Sequence, residues 1–168
     1  AKAGSAELMI MAGGKDDDIR GIKTLLTAMG NLQHVGPTGA GHAMKALNNY
    51  VSAAGLLASF QALATAIAAG ISPETFIKVI NSSTGRNNTT EVKLEKFVLP
   101  ETFNSGFALK LMAKDVNIAR ELIDDAGYTT PATAALAACL DAAVFTLGQQ
   151  ADHTALYTYI TDKPDAKG

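Results

Sequence analysis

No charged residue occurs between Lys45 and Glu74, and within that stretch Leu47, Val51, Ala54, Leu57, Phe60, Ala64 and Ile67 recur at steps of three or four. This spacing predicts one long helix with a continuous apolar face, ended by Gly70. Such a segment raises the question of a membrane span, for which about 20 apolar residues suffice. Asn48, Asn49, Ser52, Ser59, Gln61 and Thr65 interrupt it, and its many alanines are only weakly hydrophobic. The sequence therefore favours a central helix walled in by protein, and no membrane partner.

The chain on either side sets the architecture. Glu7–Ala12 and Gln33–Val35 read as short strands, closed by Gly13-Gly14 and Gly36-Pro37. Between them a helix opens on Asp16-Asp17-Asp18, acids suited to the positive end of its dipole and read as a solvated helix start. That helix carries Ile19, Ile22, Leu25, Leu26 and Met29 on one side. Two strands cannot close a core alone, so residues 1–36 are expected to be the tail of an α/β domain, with residues 37–168 an all-helical domain. In the second part Ser72-Pro73-Glu74 and Thr130-Pro131 mark helix starts, the latter for an alanine-rich helix reaching Leu147. Val92–Leu99 holds a short helical piece, a helix begins near Phe107 with Phe107, Leu111, Ile118 and Leu122 on one side, and Asp152 or its neighbours open the last helix.

Composition excludes several classes. Fourteen basic and sixteen acidic residues leave a net charge of −2, too little field to hold a nucleic-acid backbone. The single Cys139 can form neither an internal disulfide nor a multi-thiolate metal site, and His34, His42 and His153 have no metal-ligand spacing, so no metal is expected. With no signal-peptide pattern, the expected setting is reducing and cytoplasmic. Serine-nucleophile patterns are absent.

Two clusters carry candidate chemistry. Lys45, Asn48 and Asn49 share one helix surface, and the early part of a long uncharged helix disfavours a lysine charge through dipole and desolvation. Lys45 can then exchange protons near neutrality with Asn49 orienting a substrate oxygen; the alternative is a surface lysine beside two asparagines. Gly39 and Gly41, just before it, permit close approach of a chain, cofactor or substrate, or form a hinge. The second cluster is Phe107, Leu111, Lys114 and Asp115, whose spacing lines them along one helical side, where Asp115 can orient Lys114 and Phe107 can stack on a flat ring, or the set is a core Phe with a rim ion pair.

The segments GAGHAMKALNN (Gly39–Asn49) and FALKLMAKDVNIA (Phe107–Ala119), in that order, resemble the β-hydroxyacid dehydrogenases, the group of 3-hydroxyisobutyrate dehydrogenase and tartronate semialdehyde reductase. The GGKDDDIRGIKTLLTAMG run with HVGPTGAG looks like the end of that family's Rossmann domain. The resemblance implies a mainly α fold: a helical C-terminal domain of the 6-phosphogluconate dehydrogenase C-terminal-like type, preceded by a short βαβ remnant. It also implies hydride transfer between NAD or NADP and a small hydroxyacid or its semialdehyde, with Lys45 as general acid/base. Asn49 and Asn48 carry over as substrate-binding, together with Gly39 and Gly41; Phe107, Lys114 and Asp115 carry over as cofactor-binding. The dinucleotide fingerprint is not in this chain, so most of the cofactor is expected to be held by a preceding domain, and the piece alone to be inactive. Arg86 follows Gly85 where the family often has an aromatic nearby, and it can pair with a substrate carboxylate. Small-residue faces at Ala53-Ala54-Gly55 and Ala132–Ala138 suggest a homo-oligomer. The alternative is a non-catalytic helical oligomerisation or ligand-binding module, which an upstream glycine-rich fingerprint would argue against.

Overall fold

The structure is a computed structural model that describes residues 5–162. It divides into two compact units, Ala1–Asn48 and Asn49–Gly168. In the first, strand β1 (Leu8–Gly13), helix α1 (Asp16–Thr27) and strand β2 (Gly30–Gly36) form one crossover, with β1 and β2 parallel and Leu8 opposite Gly30. This matches the strand–helix–strand reading. Asp16, Asp17 and Asp18 stand exposed in the first turn of α1, and no residue of α1 is buried; Ile22 and Leu25 remain 47% and 67% exposed. His34 ties the unit's loops together, its Nε2 lying 2.8 Å from the Gly14 carbonyl and its Nδ1 3.1 Å from the Asp16 carboxylate.

Helix α2 (Ala40–Ala68) is the long helix expected. By length and composition it could cross a membrane. Its buried stripe is Ala53, Leu56, Phe60 and Leu63, all fully enclosed. The expected face coincides with it only in part: Phe60 is buried, but Leu47, Val51 and Ile67 are exposed, Val51 by 69%. An alanine-rich helix apolar on every side offers two stripes of nearly equal hydrophobicity, so periodicity alone cannot select between them.

The second unit packs the rest against that stripe. Helix α3 (Pro73–Asn81) begins as expected, with Ser72 Oγ accepting from the Thr75 amide at 3.2 Å. A ten-residue π-helical segment, Thr89–Val98, follows, with the Leu99 amide donating to the Leu94 carbonyl five residues back. Helix α4 (Leu109–Asp125) buries Leu109, Met112, Val116 and Ala119 and leaves Leu111 and Ile118 exposed, again one stripe away from that expected. Helix α5 (Pro131–Leu147) buries Leu136, Ala137, Leu140 and Ala143. A 3-10 turn (His153–Ala155) leads into α6 (Leu156–Thr161), where the Tyr157 ring meets Phe60 edge-on at 5.6 Å. Ala53 and Ala137 are both fully buried, so part of the two small-residue faces serves this internal packing.

Candidate active site

The first motif opens α2. Gly41 is fixed by space: a Cβ there would stand 2.3 Å from the Met11 carbonyl oxygen, so only glycine lets the helix start lie against the end of β1. Gly39 has φ +93°, a left-handed conformation, with open space around it. Lys45 and Asn48 are exposed and Asn49 is half-buried. On that turn of α2 it is Ala46, not Lys45, that is buried. Lys45 and Asn49 lie one turn apart on the helix.

The second motif reaches the first through Asp115. Asp115 is 4% exposed and sits on the inward stripe of α4 between Met112 and Val116. A buried carboxylate must be compensated. Asn49 Nδ2 donates to Asp115 Oδ2 at 2.6 Å, and Lys114 Nζ stands 3.3 Å from Oδ1. Only the amide nitrogen can donate to a carboxylate, so the Asn49 carboxamide has one orientation. Lys114, the preceding residue, turns about 100° away and keeps its side chain 62% exposed.

Phe107 is not on this helix face, contrary to the spacing argument. It precedes Ala108, the N-cap of α4, and is held by the other end of the unit. Its amide donates to Asp152 Oδ2 at 3.2 Å, its carbonyl accepts from the His153 amide at 2.9 Å, and its ring meets the His153 ring edge-on at 5.5 Å. Burial alone would raise the Asp152 carboxyl, but hydrogen bonds from the Thr154 hydroxyl and amide and from Ser105, with His153 beside it, hold it below its ordinary value. Burial pushes His153 down, and nearby Lys93 pushes the same way, partly opposed by the Phe107 carbonyl and by Asp152. Burial likewise lowers Lys93, only 9% exposed, with Asp152 opposing.

Sequence reasoning missed this cluster. Asp152 was legible as a helix opener, but nothing along the chain joins it to Ser105 or Phe107. Ser105, His153 and Asp152 are the residue types of a hydrolytic triad, yet here the acid accepts directly from the serine hydroxyl at 2.8 Å and from backbone amides. That connectivity anchors a loop and leaves no relay from acid through histidine to serine. Arg86 is exposed and pairs at 3.6 Å with Glu91. Cys139 is half-buried, and burial raises its thiol. Among the described residues, no group of three or more His, Cys, Asp or Glu is placed to hold a metal ion.

Comparison with known proteins agrees with these motifs. Residues 39–160 match the family described as NAD-binding of NADP-dependent 3-hydroxyisobutyrate dehydrogenase. The chain is 36% identical over 135 residues to 2-(hydroxymethyl)glutarate dehydrogenase of Eubacterium barkeri, covering 80% of this chain and 44% of the relative. It is 34% identical over 138 residues to a probable mitochondrial 3-hydroxyisobutyrate dehydrogenase of Arabidopsis thaliana, covering 78% and 39%. The fold is similar to that of Mycobacterium tuberculosis 3-hydroxyisobutyrate dehydrogenase solved with L-serine: TM-score 0.84, 26% identity, 95% of this chain and 57% of that one. The chain thus spans less than half the length of these two curated relatives. With the family match covering most of its residues, the chain belongs to the 3-hydroxyisobutyrate dehydrogenase family.

Proposed function

We propose that this chain is the C-terminal part of an NAD(P)-dependent oxidoreductase acting on a small β-hydroxyacid or its semialdehyde. Residues 1–36 are read as the end of its Rossmann domain and residues 37–168 as a helical domain of the 6-phosphogluconate dehydrogenase C-terminal-like type. The observation that carries the reading is the 2.6 Å hydrogen bond from Asn49 to Asp115, which joins the two family motifs through a buried carboxylate. The donor set suits one side of a nicotinamide dinucleotide: Lys114 offers an oriented, exposed cation to an anionic ligand, and the half-buried Phe107 offers an aromatic ring.

When bound, the nicotinamide accepts or gives the hydride. Lys45 Nζ takes the substrate hydroxyl proton during oxidation and returns it during reduction. Asn49, its amide set by Asp115, orients the substrate oxygen, and Asn48, Gly39 and Gly41 are assigned to the same substrate. Asp115 holds Lys114 and Asn49 in register. The relatives named above act, by their names, on acids bearing a hydroxymethyl group, and the same substrate class is proposed here. The isolated chain is inactive in this reading, and the full-length protein is a cytoplasmic homo-oligomer.

Nicotinamide absorbance during turnover tests the assignment, using the full-length protein, a panel of short hydroxyacids and semialdehydes, and its Lys45→Ala variant. The variant is expected to lose about 10²–10⁴-fold in kcat. Turnover within about threefold of wild type removes Lys45 from the role. Absence of both turnover and cofactor binding in the wild-type protein favours the non-catalytic module instead.

A further inference from the structure

We propose that Asp152 is a positioning residue: with Ser105 and His153 it fixes the backbone and ring of Phe107, and thereby the aromatic surface offered to the nicotinamide. The last part rests on the dehydrogenase reading above; the anchoring does not.

Asp152 collects five donors. Ser105 Oγ lies 2.8 and 2.9 Å from its two oxygens, the Gly106 amide 2.8 Å and the Phe107 amide 3.2 Å. Thr154 adds its amide at 2.9 Å and its hydroxyl at 2.6 Å. Gly106, at φ +88°, makes the turn in which two consecutive amides meet one carboxylate oxygen. Every partner donates, so a carboxylate satisfies all of them, whereas an asparagine would set its own N–H groups against some. Around this centre the Leu109 amide donates to the Ala151 carbonyl at 2.8 Å, and Ala108 and Asp152 form an antiparallel bridge. His153 completes the hold, with Nδ1 3.1 Å from the Phe107 carbonyl and 3.0 Å from Ser105 Oγ, and its ring against the Phe107 ring. Phe107 is thus fixed at amide, carbonyl and ring while remaining half-buried.

The test uses two readouts. In the chain carrying 4-fluorophenylalanine at position 107, Asp152→Asn is expected to broaden the fluorine resonance and shift it toward the unfolded value. Ser105→Ala, which removes one donor, gives a smaller change in the same direction. Ile77→Ala, a core truncation on α3, controls for lost stability and leaves the resonance in place. In the full-length protein, Asp152→Asn and Phe107→Leu each weaken binding of the reduced nicotinamide dinucleotide about tenfold or more. The double variant is no weaker than Phe107→Leu alone, because one acts through the other. A resonance unmoved by both Asp152→Asn and Ser105→Ala overturns the proposal. So does affinity lost in Phe107→Leu but kept in Asp152→Asn. A resonance that moves while Phe107→Leu leaves affinity unchanged upholds the anchor and instead removes Phe107 from the cofactor site.

Discussion

Two residues show how local chemistry constrains this chain. At position 41 any side chain meets the Met11 carbonyl, so Gly41→Ala is expected to push α2 off the end of β1 and cost about 1–3 kcal/mol, read as a lower urea midpoint. An unchanged midpoint would mean that the close approach is absent. At position 115 a buried carboxylate holds an amide and an ammonium at once. Asp115→Ala should cost about 1–3 kcal/mol, and Asp115→Asn less, since the asparagine oxygen can still accept from Asn49. Equal losses in the two variants would show that charge, not hydrogen bonding, is what Asn49 needs. The pairing of Lys114 with Asp115 was legible because they are neighbours in sequence. The pairing of Asn49 with Asp115 was not, because nothing along the chain reports which turn of α2 faces which turn of α4.

Elements whose ends carry chemical punctuation were readable. Ser72-Pro73 and Thr130-Pro131 start α3 and α5 where the residues say, and the Gly13-Gly14 and Gly36-Pro37 breaks bound the strands. The π-helical segment Thr89–Val98 was expected only as a short helical piece, since its start is set by a neighbouring loop. Asn87 Oδ1 accepts from the Thr89 amide at 2.8 Å and the Thr90 amide at 3.3 Å, while its Nδ2 donates to Ser59 Oγ on α2 at 3.0 Å. Asn87→Ala is expected to cost about 1–2 kcal/mol and to speed amide exchange first in Thr89–Val98, measured by hydrogen exchange. Uniform exchange change across the unit would contradict a local cap. Which stripe of α2 and α4 turns inward was misread, because alanine-rich or evenly apolar helices carry little directional signal.

At the scale of the whole chain, the buried cluster Lys93, Asp152 and His153 ties stability to pH. Each has a folded value below its ordinary one, so the unfolded chain binds the proton first, and stability falls as pH falls. For His153 the loss begins as pH drops below its ordinary 6.5 and continues to its lower folded value; for Asp152 it begins below 3.8. Lys93 acts in the same sense from its ordinary 10.5 downward. The urea midpoint should therefore decline between about pH 7.5 and about pH 5, and His153→Gln should flatten that decline; an unaltered slope would remove His153 as its source. The strand–helix–strand start, the helical remainder, the helix starts marked by proline and the two motifs that place the chain in its family are written along the chain, because those signals are local in spacing and residue type. Which apolar stripes are buried, the bond by which Asp115 joins the two motifs, and the bond from the Phe107 amide to Asp152 emerge on folding, because each depends on surfaces brought together by packing from distant parts of the chain.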